Sequence, residues 1–335
     1  MSNPWIIDEA DFYELERHEE QMRFLLRYAI LAPSGHNTQP WSFHITPEGV
    51  QVFADTSRRL LIADRNDREL LMSVGAAITN FRVAAAHFGF DTTVAYETRS
   101  IETAPAATIL VCETCAPNPE LASLFPAIRK RHTNREPYDE QPLDPAALRA
   151  ICDVVDANPS TLRLILPRDQ ARVADCVETA ERTLMARPAY RAELADWVGH
   201  ADERKDGLSA QALGMPRILS GVAPWLIRNF DPGDRQARRD VELTRSASML
   251  LVVTADEDQI SLVKAGETFE LLLLTITRCG LQYSFLSAPV EVDESRENLR
   301  LLLGGSREPK LLLRIGSAAM AAQPTARRPV ENVIV

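Results

Sequence analysis

Residues able to do chemistry gather in three short stretches. The first is Ala32-Pro33-Ser34-Gly35-His36-Asn37-Thr38-Gln39-Pro40-Trp41, a run of turn formers with a hydroxyl, an imidazole and two amides. A polar loop set between two buried elements carries function more often than a core segment does. The second is Arg129-Lys130-Arg131-His132 with Arg135, a basic cluster in a chain of net charge −10. A phosphate needs several donors in one place, and arginine supplies them as a planar fork. A solvated helix end beside the turn at Pro137 is the alternative reading of the same residues. The third is Cys112 and Cys115, a lone CxxC between a strand at Thr108–Val111 and a helix from Pro119, which is the local order of a thioredoxin-type motif. Zinc would need a second ligand pair nearby. No metal site is therefore expected, and the two cysteines read as incidental thiols.

The elements that must position these groups follow from periodicity. Phe24–Leu31 is an amphipathic helix leading into the first loop, and Ser42–Ile45 and Val50–Phe53 alternate as a hairpin around Pro47-Glu48-Gly49. A long helix is predicted from Leu70 to Phe88 and a second from Leu262 to Arg278. Strands are predicted at 106–112, at Leu162–Leu166, at Ser248–Thr254 and at Pro309–Gly316, with a helix at Ala171–Met185. Gly75–Phe90 and Ala265–Leu281 share a small-residue start, an apolar helix and a glycine exit, a weak internal repeat. Between Arg187 and Asp240 the periodicity fails over a stretch long for a plain connection, and an ordinary helical excursion on the surface is one reading of it. The tail Val330–Val335 has strand-like composition and is expected to pair with the first half of the chain.

Composition bounds the function. A chain of 335 residues, 45% hydrophobic, can bury one large core or two fused ones. Its acidic balance argues against a nucleic-acid partner, which would need a basic face. The acidic N-terminal stretch and the shortness of the most apolar run, Leu271–Ile276, predict neither export nor membrane insertion, so a cytoplasmic protein is expected. Five cysteines do not suggest a disulfide framework.

The first loop resembles the APSxxNxQPW segment of the nitroreductase superfamily of FMN-dependent oxidoreductases. Arg131-His132-Thr133-Asn134-Arg135 resembles that family's RxSxR element. Cys279-Gly280-Leu281 with Ser287-Ala288-Pro289-Val290-Glu291 is similar to its Gly-Leu turn and Pro-x-Glu loop, although Val292 stands where a glycine often follows. Arg327-Arg328-Pro329-Val330 resembles its basic C-terminal contact. In ordinary members RxSxR precedes APSxxNxQPW and two chains build each flavin site, whereas here the order is inverted. The chain thus resembles the fused, Acg-like branch of the superfamily.

That resemblance implies an α+β fold of two fused pseudo-repeat halves, each with a mixed or antiparallel sheet and long central helices. Residues 20–125 would form one half and 126–335 the other, with a lid inserted at 187–240. It implies one FMN between the halves, a degenerate second site, and a monomeric pseudo-dimer with further homodimerisation open. Arg131 and Thr133 would contact the phosphate, with Arg327 or Arg328 closing on it. Arg135 would sit near flavin N1 and the C2 carbonyl. Pro33, Ser34, Asn37 and Gln39 would approach the ring from the other half, and the backbone at Pro289, Val290 and Glu291 would run near N5 and O4. No side chain is assigned as catalytic, because the chemistry is the flavin's. His36 stays outside that set even though imidazole titrates near neutrality. The function implied is hydride transfer from NAD(P)H to a small nitroaromatic, quinone or related acceptor. The alternative is a non-catalytic flavoprotein that sequesters FMN beneath the lid.

Overall fold

Alternating burial from Trp41 onward produces the expected hairpin, β1 (Trp41–Thr46) and β2 (Gly49–Ala54), paired antiparallel with Trp41 opposite Ala54. The computed structural model describes residues 3–335 except 140, 200–203, 214, 306 and 321. Gly49 turns the hairpin at φ 147°, and a Cβ there would stand 2.1 Å from the Ile109 carbonyl oxygen, so only glycine fits. β3 (Asp91–Tyr96), which the sequence reading did not isolate, and β4 (Ala107–Cys112) complete a sheet of order β1-β2-β4-β3. The second sheet contains β5 (Leu162–Leu164), β6 (Met249–Ala255), β7 (Gln282–Phe285) and β8 (Glu308–Gly316) in the order β5-β6-β8-β7. Among the described residues every strand pair is antiparallel. The two halves of the α+β fold therefore repeat one strand order.

Two helices of 20 residues, Arg68–His87 and Gln259–Arg278, lie between the sheets. Both are buried nearly all round, mostly by apolar residues but with Glu69, Asn80, Glu267 and Glu270 enclosed as well. They cross where small residues let backbone meet backbone. A Cβ on Gly75 would stand 2.0 Å from the Val263 carbonyl oxygen, and one on Gly266 would stand 2.2 Å from that of Met72. One sequence offset relates Met72 to Val263, Gly75 to Gly266 and Gly89 to Gly280. The weak repeat is thus the trace of a reciprocal contact. Leu71, Met72 and Phe81 from one helix and Leu272, Leu273 and Phe269 from the other share one continuous core.

The tail crosses between halves as expected. Phe43 donates its N–H to the Val333 carbonyl at 2.7 Å and accepts from the Val335 N–H at 2.9 Å, a parallel bridge at the free edge of β1.

Two expectations are corrected. Cys112 and Cys115 are joined in a disulfide, because β4 ends at Cys112 and the turn returns Cys115 to a Cα–Cα distance of 5.5 Å. Cys152, Cys176 and Cys279 remain free. The stretch from Arg187 onward contains helices at Pro188–Asp196, Ala223–Asn229 and Gly233–Arg245, as a helical excursion would. The first two are too short to show periodicity, and each has proline in its opening turn, where the missing N–H is harmless. Residues 200–203 and 214 of the expected 187–240 insertion lie outside the described residues. Finally, the Pro-x-Glu segment is a helical turn, Ala288–Glu291, rather than an open loop. No helix among the described residues is long and apolar enough to cross a membrane.

The helix crossing yields a stability prediction. Gly75→Ala must push a methyl into rigid backbone and is expected to cost about 3 kcal/mol or more. Gly89→Ala meets nothing within 4 Å and carries only the penalty of its φ of 97°, about 1–2 kcal/mol. Urea unfolding of the two variants beside the parent measures the difference.

Candidate functional site

The loop after the first helix is held in an unfavourable backbone conformation. His36, Asn37 and Gln39 have φ of 48°, 56° and 52°, the left-handed region that side chains resist at roughly 1–3 kcal/mol each. Specific bonds hold it there. Ser34 Oγ accepts from the Gln39 N–H at 2.9 Å. Asn37 Nδ2 donates to the carbonyls of Gly207 at 2.9 Å and Ala326 at 3.0 Å, and Gln39 Nε2 donates to that of Lys205 at 2.9 Å. The Arg328 N–H donates to Gln39 Oε1 at 2.8 Å. Both amides therefore anchor the loop to distant segments.

Behind the loop lies a buried charge cluster. Arg131 and Arg327 are 2% and 3% exposed, and Glu270 is fully buried. Arg131 Nη2 donates to the Leu31 carbonyl at 2.7 Å, its Nη1 donates to the Tyr283 hydroxyl, and its Nε lies 3.2 Å from Glu270. Arg327 Nη2 donates to the carbonyls of Leu31 and Ala32 at 3.1 and 3.0 Å, and its Nη1 donates to Asn37 Oδ1 at 2.9 Å. Burial pushes Glu270 up to about 7 against the pull of the two arginines, and it pushes Arg327 down to about 9. The same environment, burial beside Arg131 and Arg327, lowers His132 to about 3.

In front of the loop is a cavity of about 430 Å³, within the range of small-molecule and cofactor sites. Pro33, Ser34, Gly35 and His36 form one wall, Glu69, Met72 and Ser73 of the first long helix another, and Ser284–Ala288 with Glu291 a third. Leu194, Leu208, Met215, Ile227 and Phe230, all from the stretch beyond Arg187, make the opposite wall apolar. Arg135 and Arg314 face the same space.

Of the residues singled out from the sequence, the cavity thus gathers Pro33, Ser34, Arg135 and Glu291. Asn37, Gln39, Arg131, Arg327 and Arg328 stand behind the loop and bond to protein. Thr133 bridges to Tyr283 at the edge of β7. Pro289 and Val290 lie in the turn beside Glu291, where the Val290 carbonyl accepts from Arg68 Nη1 at 2.7 Å. His36 lines the cavity, and burial lowers it to about 4, so it is neutral at ordinary pH.

Sequence reasoning missed the acidic groups of the cavity, Glu69, Glu181 and Asp240, and it missed Tyr190, Arg239 and Arg314. A signal existed for one of them. Arg314 is a lone guanidinium in an otherwise apolar strand, Leu311–Gly316. The others sit in helices whose facing is set by the tertiary fold. Burial raises Glu291 to about 8, with Glu69 adding to the rise and Arg68 opposing it. Glu181 is raised well above the carboxylate range by burial, then by Asp240 beside it. Glu291 accordingly keeps its proton at pH 7.

The residues present suit a flavin. The space is walled by apolar side chains on one side and a polar loop on the other, and buried Nε and Nη1 of Arg314, Nδ1 of His36 and Oε2 of Glu291 lack partners. The offset that relates the two halves places Lys264 and Tyr96 where the cavity has Ser73 and Ser287. There the Lys264 ammonium lies 4.7 Å from the Tyr96 ring, and the Tyr96 hydroxyl donates to Glu267 at 2.6 Å. Larger side chains thus stand at the related position in the other half.

Comparison with known proteins agrees with the motif reading. Over 326 residues the chain is 28% identical to "Putative NAD(P)H nitroreductase Rv3131" of Mycobacterium tuberculosis, an alignment spanning 94% of this chain and 91% of that protein. Over 324 residues it is 28% identical to "Putative NAD(P)H nitroreductase acg" of the same organism, spanning 92% and 93%. Among solved structures, the FMN-dependent nitroreductase NfnB from Mycobacterium smegmatis, in complex with NADPH, aligns at a TM-score of 0.37 and 17% identity over 63% of this chain and 91% of that one. A putative nitroreductase from Anabaena variabilis aligns at 0.47 and 9% identity over 93% and 91%. No family model matches the chain. Along most of its length the chain is thus similar to curated proteins named putative NAD(P)H nitroreductases, acg among them.

Glu291 provides a pH prediction for the ligand-free protein. Its carboxyl moves from 4.5 to about 8 on folding, so its contribution to stability is complete below the lower value and is lost as pH rises through the upper one. Unfolding free energy is expected to fall between about pH 5 and about pH 8, with Asp64 and Glu270 acting in the same direction and the lowered His36 and His132 opposing them below about pH 6.5. Glu291→Gln, permanently neutral, should reduce that slope by up to about 1.4 kcal/mol per pH unit, measured by urea titration across the range.

Proposed function

We propose that this chain is an FMN-dependent NAD(P)H oxidoreductase of nitroreductase type, acting on a small nitroaromatic, quinone or related acceptor. The observation that carries the reading is the convergence of the Pro33–Ser34 loop, Arg135 and the Glu291 turn on one cavity. These three segments are distant in sequence, and the family motifs assign them to one flavin. Homology to proteins named putative NAD(P)H nitroreductases supports the same class.

In this proposal residues 20–125 and 126–335 act as two halves, and one chain supplies both sides of the site. Bound FMN supplies the two-electron chemistry that no side chain provides. Pro33, Ser34, Pro289, Val290 and Glu291 border the ring. Arg135 presents a guanidinium to the cavity that would hold the flavin, where a cation stabilises negative charge. Arg131, Thr133, Arg327 and Arg328, with Asn37 and Gln39, fix the strained loop and the basic segment on which binding depends. Glu291, neutral at pH 7, holds a proton at the cavity wall. Residues 187–240 act as a lid that excludes water and selects small, apolar acceptors.

The apolar wall from that stretch also favours the second reading, a flavoprotein that sequesters FMN and excludes nicotinamide. Anaerobic titration of the flavin-loaded protein with NADH and NADPH separates the two. Bleaching of the flavin within the mixing time is expected for the reductase. Reduction by dithionite but by neither nicotinamide would establish sequestration, and a chain that takes up no FMN would overturn both.

A further inference from the structure

Three guanidiniums meet at one end of the cavity, delivered by three separate elements. Arg314 comes from β8, Arg239 from the Gly233–Arg245 helix and Arg135 from the segment that follows the basic cluster. The backbone of that segment gathers the other two. Arg314 Nη2 donates to the carbonyls of Asn134 at 3.1 Å and Glu136 at 2.9 Å, and Arg239 Nη2 donates to that of Arg135 at 3.2 Å. Arg314 is fully buried, its guanidinium 4.0 Å from the Tyr138 ring, and its Nε and Nη1 have no partner. Asp240 is the carboxylate nearest in charge to this group, but burial raises its pKa, and its side chain is occupied by Gln236 Nε2 at 2.8 Å and by Glu181.

Buried donors without partners are costly, and more so when charged. Three cations facing the weakened Asp240 and the exposed Glu136 repel one another, and burial together with that repulsion lowers both Arg135 and Arg314. An anion of about two charges would neutralise them, and a phosphate monoester carries that charge with three oxygens matched to arginine forks. We propose that Arg135, Arg239 and Arg314 form a subsite for a phosphoryl group at this end of the cavity. The family motifs instead give the phosphate to Arg131, Thr133, Arg327 and Arg328. Arg131 and Arg327 already serve the carbonyls of Leu31 and Ala32, whereas Arg314 has donors to spare.

The phosphate of FMN and the phosphate of a substrate share this chemistry, and one experiment tests the site and separates them. Thermal unfolding of the flavin-free protein is followed against inorganic phosphate, with chloride at equal ionic strength as the control, for the parent, Arg314→Met and Arg239→Gln. The parent is expected to be stabilised, with half-saturation weakened roughly 10–100-fold in either variant. Arg239→Gln, half-exposed on its helix, keeps the test open should Arg314→Met fold poorly. The titration is repeated with riboflavin and with FMN. Loss of the phosphate response with FMN alone assigns the subsite to the cofactor, and its persistence with both assigns it to a phosphorylated substrate. A parent indifferent to phosphate, or variants that respond like the parent, would overturn the proposal. Failure of FMN to bind would count against the proposed function while leaving the inorganic-phosphate result standing.

Discussion

Everything in this fold is referred to the place where the two long helices touch. With no side chain at Gly75 or Gly266, the helices approach until carbonyl oxygens of Val263 and Met72 occupy the space a Cβ would need. That spacing fixes how far apart the two sheets lie, and so how far the Pro33–His36 loop of one half stands from the Ser284–Glu291 segment of the other. The cavity is the gap left along the crossing. A repeat would give such a gap twice, and divergence has treated the two differently: Ser73 and Ser287 leave one open, while Lys264 and Tyr96 stand at the other.

The loop facing the cavity would not hold its shape unaided. Three left-handed side-chain residues in four positions are stable only because Asn37 and Gln39 are bonded to residues 205–207 and 326–328, and because Arg131 and Arg327 clamp the carbonyls before the loop. Glu270 balances part of that buried charge. Rigidity at the site is therefore supplied from behind by groups far away in sequence, including the C-terminal segment. The tail that closes on β1 is part of the same clamp, since Arg327 and Arg328 precede it directly.

Much of this was legible from residue order because it is local. The hairpin at Trp41–Ala54, the long helices and the buried strands follow from periods of two and of 3.6, and the loop and basic cluster stand out by composition. The resemblance supplied which distant segments belong together. What escaped was set by tertiary contact. Arg131 reads as an exposed phosphate ligand beside Lys130, yet it turns inward onto Glu270. Nothing in residue order marks Glu181 and Asp240 as buried, and they become so when the fold packs their two helices face to face. The disulfide between Cys112 and Cys115 depends on the path of a single turn, which spacing alone does not give.

The central claim is that one chain builds one flavin site between its halves. Binding stoichiometry tests it most directly: flavin-free protein of known concentration is titrated with FMN, and bound flavin is counted per chain, with the oligomeric state recorded alongside. One FMN per chain is the predicted result. Two per chain would mean that the position of Lys264 and Tyr96 also binds, one per two chains would place the site between molecules, and none would remove the flavin from this cavity altogether.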